Sequence, residues 1–92
     1  QAFAGTITGL FVAPWARSRG IARGVVGELE RQARELGLVV LNLDLRDTQR
    51  AAIGLYESLG YRRWGTHPCY AQVEGRVVPG HYYYKRIDEP SA

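Results

Sequence analysis

Apolar and polar positions change period several times along the chain, and each change marks an element. Residues 4–12 are rich in β-branched and aromatic types and predict a strand. Gly5 and Gly9 interrupt it, and a Gly within a strand marks a bulge or a close backbone approach. Residues 20–36 then switch to helical spacing, with Ala22, Val25, Val26, Leu29, Ala33 and Leu36 on one face. Glu30 and Arg34 are expected to pair on the other side. Gly24 and Gly27 each cost about 1 kcal/mol of helix propensity against Ala. They leave two readings open, close packing there or a merely imperfect helix. Gly37 is the expected stop.

Residues 38–45 form a nearly continuous apolar run, the mark of a buried strand. Strand, helix and strand make a right-handed βαβ unit with parallel strands. Asp47 or Thr48 is then placed to cap a second helix over 48–59, with Ala52, Ile53, Leu55, Tyr56 and Leu59 as its apolar stripe and Gly60 as its end. Tyr61–Thr66 reads as a strand, Glu74-Gly75 as a turn and His81–Ile87 as a last strand. The tail from Asp88 is polar.

The junction at Val12-Ala13-Pro14-Trp15-Ala16-Arg17-Ser18-Arg19-Gly20-Ile21-Ala22 carries the candidate chemistry. An apolar strand ends, a basic small-residue loop follows, and a helix opens. Such a turn aims unpaired backbone N–H groups at one spot beside the positive end of a helix dipole. A pyrophosphate fits that spot, and Gly20 lets the backbone approach it. Arg17, Arg19 and Arg23 cluster at the same place.

Composition narrows the picture. The 92 residues make one domain at most, 46% hydrophobic and 23% charged, as in ordinary globular proteins. No stretch approaches the roughly 20 apolar residues of a membrane span. The formal charge of +3 suits either a mildly basic surface or a polyanionic partner. No nucleic-acid motif is present, so a small phosphorylated ligand is the favoured partner. The single Cys69 cannot form an internal disulfide, which favours a reducing, cytoplasmic compartment. His67 and Cys69 are too few for a zinc site, so no metal is expected. The chain has no Met, and a Gln after an initiator Met is too large for its normal removal. A segment ahead of Gln1 is therefore expected.

Three segments, in order, carry a family likeness. Arg17-x-x-Gly20-x-Ala22 resembles the Arg/Gln-x-x-Gly-x-Gly/Ala signature of the GNAT superfamily of acetyl-CoA-dependent N-acetyltransferases. Val12-x-Pro14 precedes it in the usual place, and Leu55-Tyr56-Glu57-Ser58-Leu59-Gly60-Tyr61 is similar to the family's later Leu-Tyr-Glu segment. The likeness runs from about residue 5 to the end and matches the C-terminal half of the fold. It implies an α/β architecture, a mixed sheet with a helix on each face, as one partial domain over 1–92.

The resemblance also implies roles. Backbone N–H groups across Arg17, Ser18, Arg19, Gly20, Ile21 and Ala22 would hold the coenzyme A pyrophosphate, with charge added by Arg19 and Arg23. The backbone of Leu10, Phe11 and Val12 would pair with the pantetheine arm and polarise the thioester carbonyl. Gln49 stands where the family has an Asn that bonds that arm, with the same amide on a longer stem. Tyr56 would protonate the departing thiolate. It also lies on the helix's apolar stripe, and a core Tyr with its hydroxyl at the edge is the competing reading.

The general base has no motif. Asp44, near a strand end, is the leading choice, since such ends face the cleft. A strand-end Asp paired with a neighbouring Arg is the plainer reading, and His67 and His81 are further titratable candidates. The segments Gly65-Thr66-His67-Pro68-Cys69-Tyr70-Ala71 and Tyr83-Tyr84-Lys85-Arg86 resemble a subgroup that acetylates small antibiotic-like amines. The expected reaction is acetyl transfer from acetyl-CoA to a small amine by direct attack in a ternary complex. The alternative is a coenzyme A-binding module that lacks activity because the N-terminal half is missing. A homodimer, or a missing N-terminal segment, is expected to cover the open edge of the first strand.

Overall fold

A computed structural model of the chain describes residues 3–8 and 19–88, the side chain of Arg19 excepted. Its elements are β1 (Ala4–Thr6), α1 (Arg19–Glu35), β2 (Val40–Arg46), α2 (Arg50–Ser58), β3 (Arg62–Val73) and β4 (Arg76–Arg86). The strands form a mixed sheet in the order β1-β2-β4-β3, flanked by the helices. The chain divides into two compact units, Gln1–Asn42 with Lys85–Ala92, and Leu43–Tyr84.

In the first unit, β1 and β2 pair in parallel with Ala4 opposite Val40 and Thr6 opposite Asn42. β1 ends earlier than its composition suggests, although the Ile7 N–H still donates to the Asn42 carbonyl at 2.8 Å. Gly5 is a close approach, because a Cβ there would lie 2.9 Å from the Leu38 side chain. The buried stripe of α1 is Ala22, Val26, Glu30 and Ala33, while Val25 and Leu36 are exposed. Ala22, Val26 and Ala33 of the expected stripe are thus borne out, and Glu30 enters it where Val25 and Leu36 do not. The expected Glu30–Arg34 pair does not form. Glu30 is buried, and both its oxygens accept from Lys85 Nζ at 3.1 Å. Burying a lone carboxylate is costly, so a charged partner from β4 replaces a neighbour on the helix. Gly24 and Gly27 have nothing within 4 Å of a would-be Cβ, which decides for an imperfect helix.

Both helices stop by the same device. Gly37 has φ 83°, the Gly37 N–H donates to the Arg34 carbonyl, and the Leu38 N–H to that of Ala33. Gly60 has φ 95°, the Gly60 N–H donates to the Glu57 carbonyl, and the Tyr61 N–H to that of Tyr56. These are Schellman closures, which need a left-handed residue and satisfy the last carbonyls of the helix. They also bring the residue after the glycine against the third residue from the helix end. At α2 that contact is Tyr61 on Tyr56, ring centroids 5.2 Å apart at 81°.

In the second unit, Leu43, Leu45, Ile53, Leu55, Tyr56, Tyr61 and Tyr83 form the core. Each buried aliphatic side chain contributes about 1.5–3 kcal/mol. α2 is shorter than expected at its start. Its N-cap is Gln49, without a side-chain cap bond, and neither Asp47 nor Thr48 fills that place. The hairpin β3–β4 is much longer than the two short strands predicted. Glu74 and Gly75 both have positive φ, 51° and 78°, as a two-residue type I′ turn requires. Pro68 and Pro79 both lie within these strands. The register shifts between His67 and Ala71, and Pro79 lies opposite that irregularity, where its missing N–H costs no ladder bond.

Candidate functional site

The first turn of α1 is the described part of the anion site. Its leading N–H groups have no acceptor within the helix, as at any helix start. Gly20 and Ile21 are exposed there, Ala22 is buried, and the turn contains no acidic residue. The turn therefore offers N–H donors and no repelling carboxylate to a phosphate, which fits coenzyme A. Arg23 is exposed on the same turn. Arg19 opens the helix. Leu10, Phe11, Val12, Arg17 and Ser18 lie outside the described residues.

Tyr56 is the most constrained candidate. It is only 4% exposed, on the buried face of α2. The closure at Gly60 and the Tyr61 ring fix its position. Among the described residues its hydroxyl has no hydrogen-bond partner, yet no buried side-chain N or O atom lacks one. Burial pushes its pKa up to about 12, so the phenol keeps its proton at neutral pH.

Gln49 is half committed. Its Oε1 accepts from the Arg46 N–H at 2.8 Å, which closes the turn between β2 and α2. Only its Nε2 remains for a ligand carbonyl.

Asp44 is exposed on β2, where it accepts a hydrogen bond from the Tyr70 hydroxyl. That bond, with some burial, pushes the Tyr70 pKa up to about 12. No ion pair forms between Asp44 and an Arg among the described residues. The Tyr70 ring lies flat on Gly80, where a Cβ would be 2.1 Å from its Cγ.

Two clusters were not foreseen. His81 is buried, with Nε2 2.7 Å from Asp47 Oδ1 and Nδ1 2.9 Å from Thr66 Oγ1. The His81 bond lowers the Asp47 pKa. Both ring nitrogens are thereby occupied, so His81 ties β3 and β4 to the turn after β2 and is not placed as a free base. Tyr83, fully buried, donates to Glu57 Oε2 at 2.7 Å and accepts from Arg63 Nη2 at 2.9 Å. This network anchors α2 beside Tyr56. Partners 34 and 26 positions apart give no local pattern in a sequence. His67 is held locally, its Nδ1 accepting from the Cys69 N–H at 3.0 Å.

Among the described residues no group of three or more His, Cys, Asp or Glu could hold a metal. No helix there is long and apolar enough to cross a membrane.

Known proteins are similar to this chain in sequence and fold. The model of the acetyltransferase (GNAT) family matches residues 2–61. An uncharacterized N-acetyltransferase from the hisH-hisA intergenic region of Azospirillum brasilense is 56% identical over 50 residues, 54% of this chain and 30% of that protein. The fold is similar to that of the ribosomal-protein-S18-alanine N-acetyltransferase of Escherichia coli, with TM-score 0.81, 24% identity, and coverage of 94% of this chain and 56% of that one. It is also similar to yncA of Salmonella typhimurium, solved with its cofactor acetyl-CoA, at TM-score 0.75 and 25% identity, covering 86% of this chain and 46% of that one. The chain thus spans about a third to a half of the length of these relatives. Since that family model matches well over half of the chain, the chain belongs to the GNAT acetyltransferase family.

Proposed function

We propose that the chain binds acetyl-CoA and forms the thioester-handling part of an N-acetyltransferase acting on a small amine. The observation that carries this reading is Tyr56, a proton-bearing phenol on a fixed helix whose hydroxyl has no hydrogen-bond partner among the described residues. Acetyl-CoA supplies the activated acetyl group. The amine nitrogen attacks the thioester carbonyl, the C–S bond breaks, the amine proton passes to Asp44, and the sulfur takes a hydrogen bond from Tyr56. A phenol near 12 is a weaker acid than an ordinary thiol near 8.5. Tyr56 therefore acts chiefly by donating to charge as it develops on sulfur, and the proton follows only as the thiolate is itself desolvated. Asp44 retains one oxygen beyond the Tyr70 bond for the amine.

The test is amine-dependent release of free coenzyme A thiol from acetyl-CoA, measured over a panel of small primary amines. Release that requires both Tyr56 and an amine supports the reading. Tight acetyl-CoA binding with no release for any amine favours the second reading, a coenzyme A-binding module. The fraction of its relatives' length that the chain spans is the observation behind that alternative.

A further inference from the structure

Asp44 and Arg46 stand two apart on β2 and so project from one face, while Leu43 and Leu45 between and beside them are buried on the other. Their backbone positions are only about 7 Å apart. Even so, the two charges do not pair with each other. The Asp44 carboxylate has the Tyr70 hydroxyl and no cation, and the Arg46 guanidinium has neither a hydrogen bond nor an ion pair among the described residues. Beside them is an aromatic wall. Tyr70 is seated on Gly80 and tethered to Asp44. Tyr82 meets Tyr70 edge-on, centroids 6.0 Å apart at 85°, and Trp64 leans on Tyr82 at 5.6 Å. Trp64 is left 64% exposed. An open anion and an open cation on one face, next to three rings, complement a molecule that carries the opposite pair and an apolar side chain.

We propose that this face binds the acceptor amine as a small zwitterion of the amino-acid class. Its ammonium lies at Asp44 and the ring of Tyr70, its acid group at the Arg46 guanidinium, and its side chain against Tyr82 and Trp64. A purely cationic amine is repelled by Arg46, and a peptide N-terminus brings no α-carboxylate to it. The inference rests on the acetyl-transfer reading and narrows its substrate class.

The experiment follows the indole N–H signal of Trp64 by NMR, assigned with Trp64→Phe, in the presence of coenzyme A. The ligands are L-phenylalanine, its amide and phenethylamine. The expected result is binding of the amino acid at least about tenfold tighter than its amide, with phenethylamine weaker still. Arg46→Gln, at an exposed side chain with no hydrogen bond or ion pair among the described residues, removes the difference between acid and amide. Equal affinity for acid and amide, or an unchanged preference in Arg46→Gln, overturns the proposal. So does a Trp64 signal that no ligand moves while coenzyme A still binds, or one that moves only with protein concentration, which would mean another protein surface covers the face. In those cases the acetyl-transfer reading stands. Failure to bind coenzyme A at all strikes that reading instead.

Discussion

Tyr56 concentrates the chemistry at the scale of one side chain. Burial raises its pKa from 10.0 to about 12, and Tyr61 and the Gly60 closure hold its ring. Tyr56→Phe keeps the ring contact and removes only the hydroxyl. Acetyl-CoA affinity is expected to stay within a few-fold while turnover falls by about 10²–10⁴-fold. Unchanged turnover with chemistry limiting would return Tyr56 to the core. The same burial has a thermodynamic consequence. A phenol whose pKa is raised on folding binds its proton more tightly in the folded state. Its stabilisation is complete below pH 10 and is lost as pH rises towards about 12. Tyr70 and Tyr83 are shifted the same way and add to this alkaline limb. Unfolding followed between pH 9 and 12 should show a shallower limb in Tyr56→Phe than in the parent chain.

At the scale of elements, two glycines at different places should respond oppositely to alanine. Gly60 holds φ 95° at the end of α2, so Gly60→Ala is expected to cost about 1–2 kcal/mol and lower the melting midpoint. Gly24 lies in open space on α1, so Gly24→Ala is expected to stabilise by about 0.5–1 kcal/mol. Thermal melts of both variants check the pair. The helices were legible because their period and stop glycines are local signals. The buried stripe of α1 was misjudged because Glu30 enters it, and only Lys85, 55 positions away, makes that tolerable. The full length of the hairpin is not legible because Pro68 and Pro79 interrupt its strands, and no local pattern shows that Pro79 faces an irregular stretch of β3. The signature of the anion loop and Tyr56 were plain in the sequence. The Tyr70–Gly80–Asp44 contact and the Asp47–His81–Thr66 tie were not, since pairing across strands creates them.

For the whole molecule, the open edge of the sheet and the start of α1 set the expectations. β1 is last in the strand order and has a neighbour on one side only among the described residues. An unpaired edge tends to add another strand. The isolated 92-residue chain is expected to self-associate, so light scattering should give a mass above 10.3 kDa. A stable monomer at that mass would show the edge to be self-sufficient. The central claim is that the start of α1 receives the pyrophosphate of acetyl-CoA, and calorimetric titration tests it most directly. Acetyl-CoA and coenzyme A should bind and ATP should not compete, and Gly20→Glu, at an exposed position in the first helical turn, should abolish binding without unfolding the chain. Binding of ATP in preference to either coenzyme A species, or full acetyl-CoA affinity in Gly20→Glu, would contradict the account.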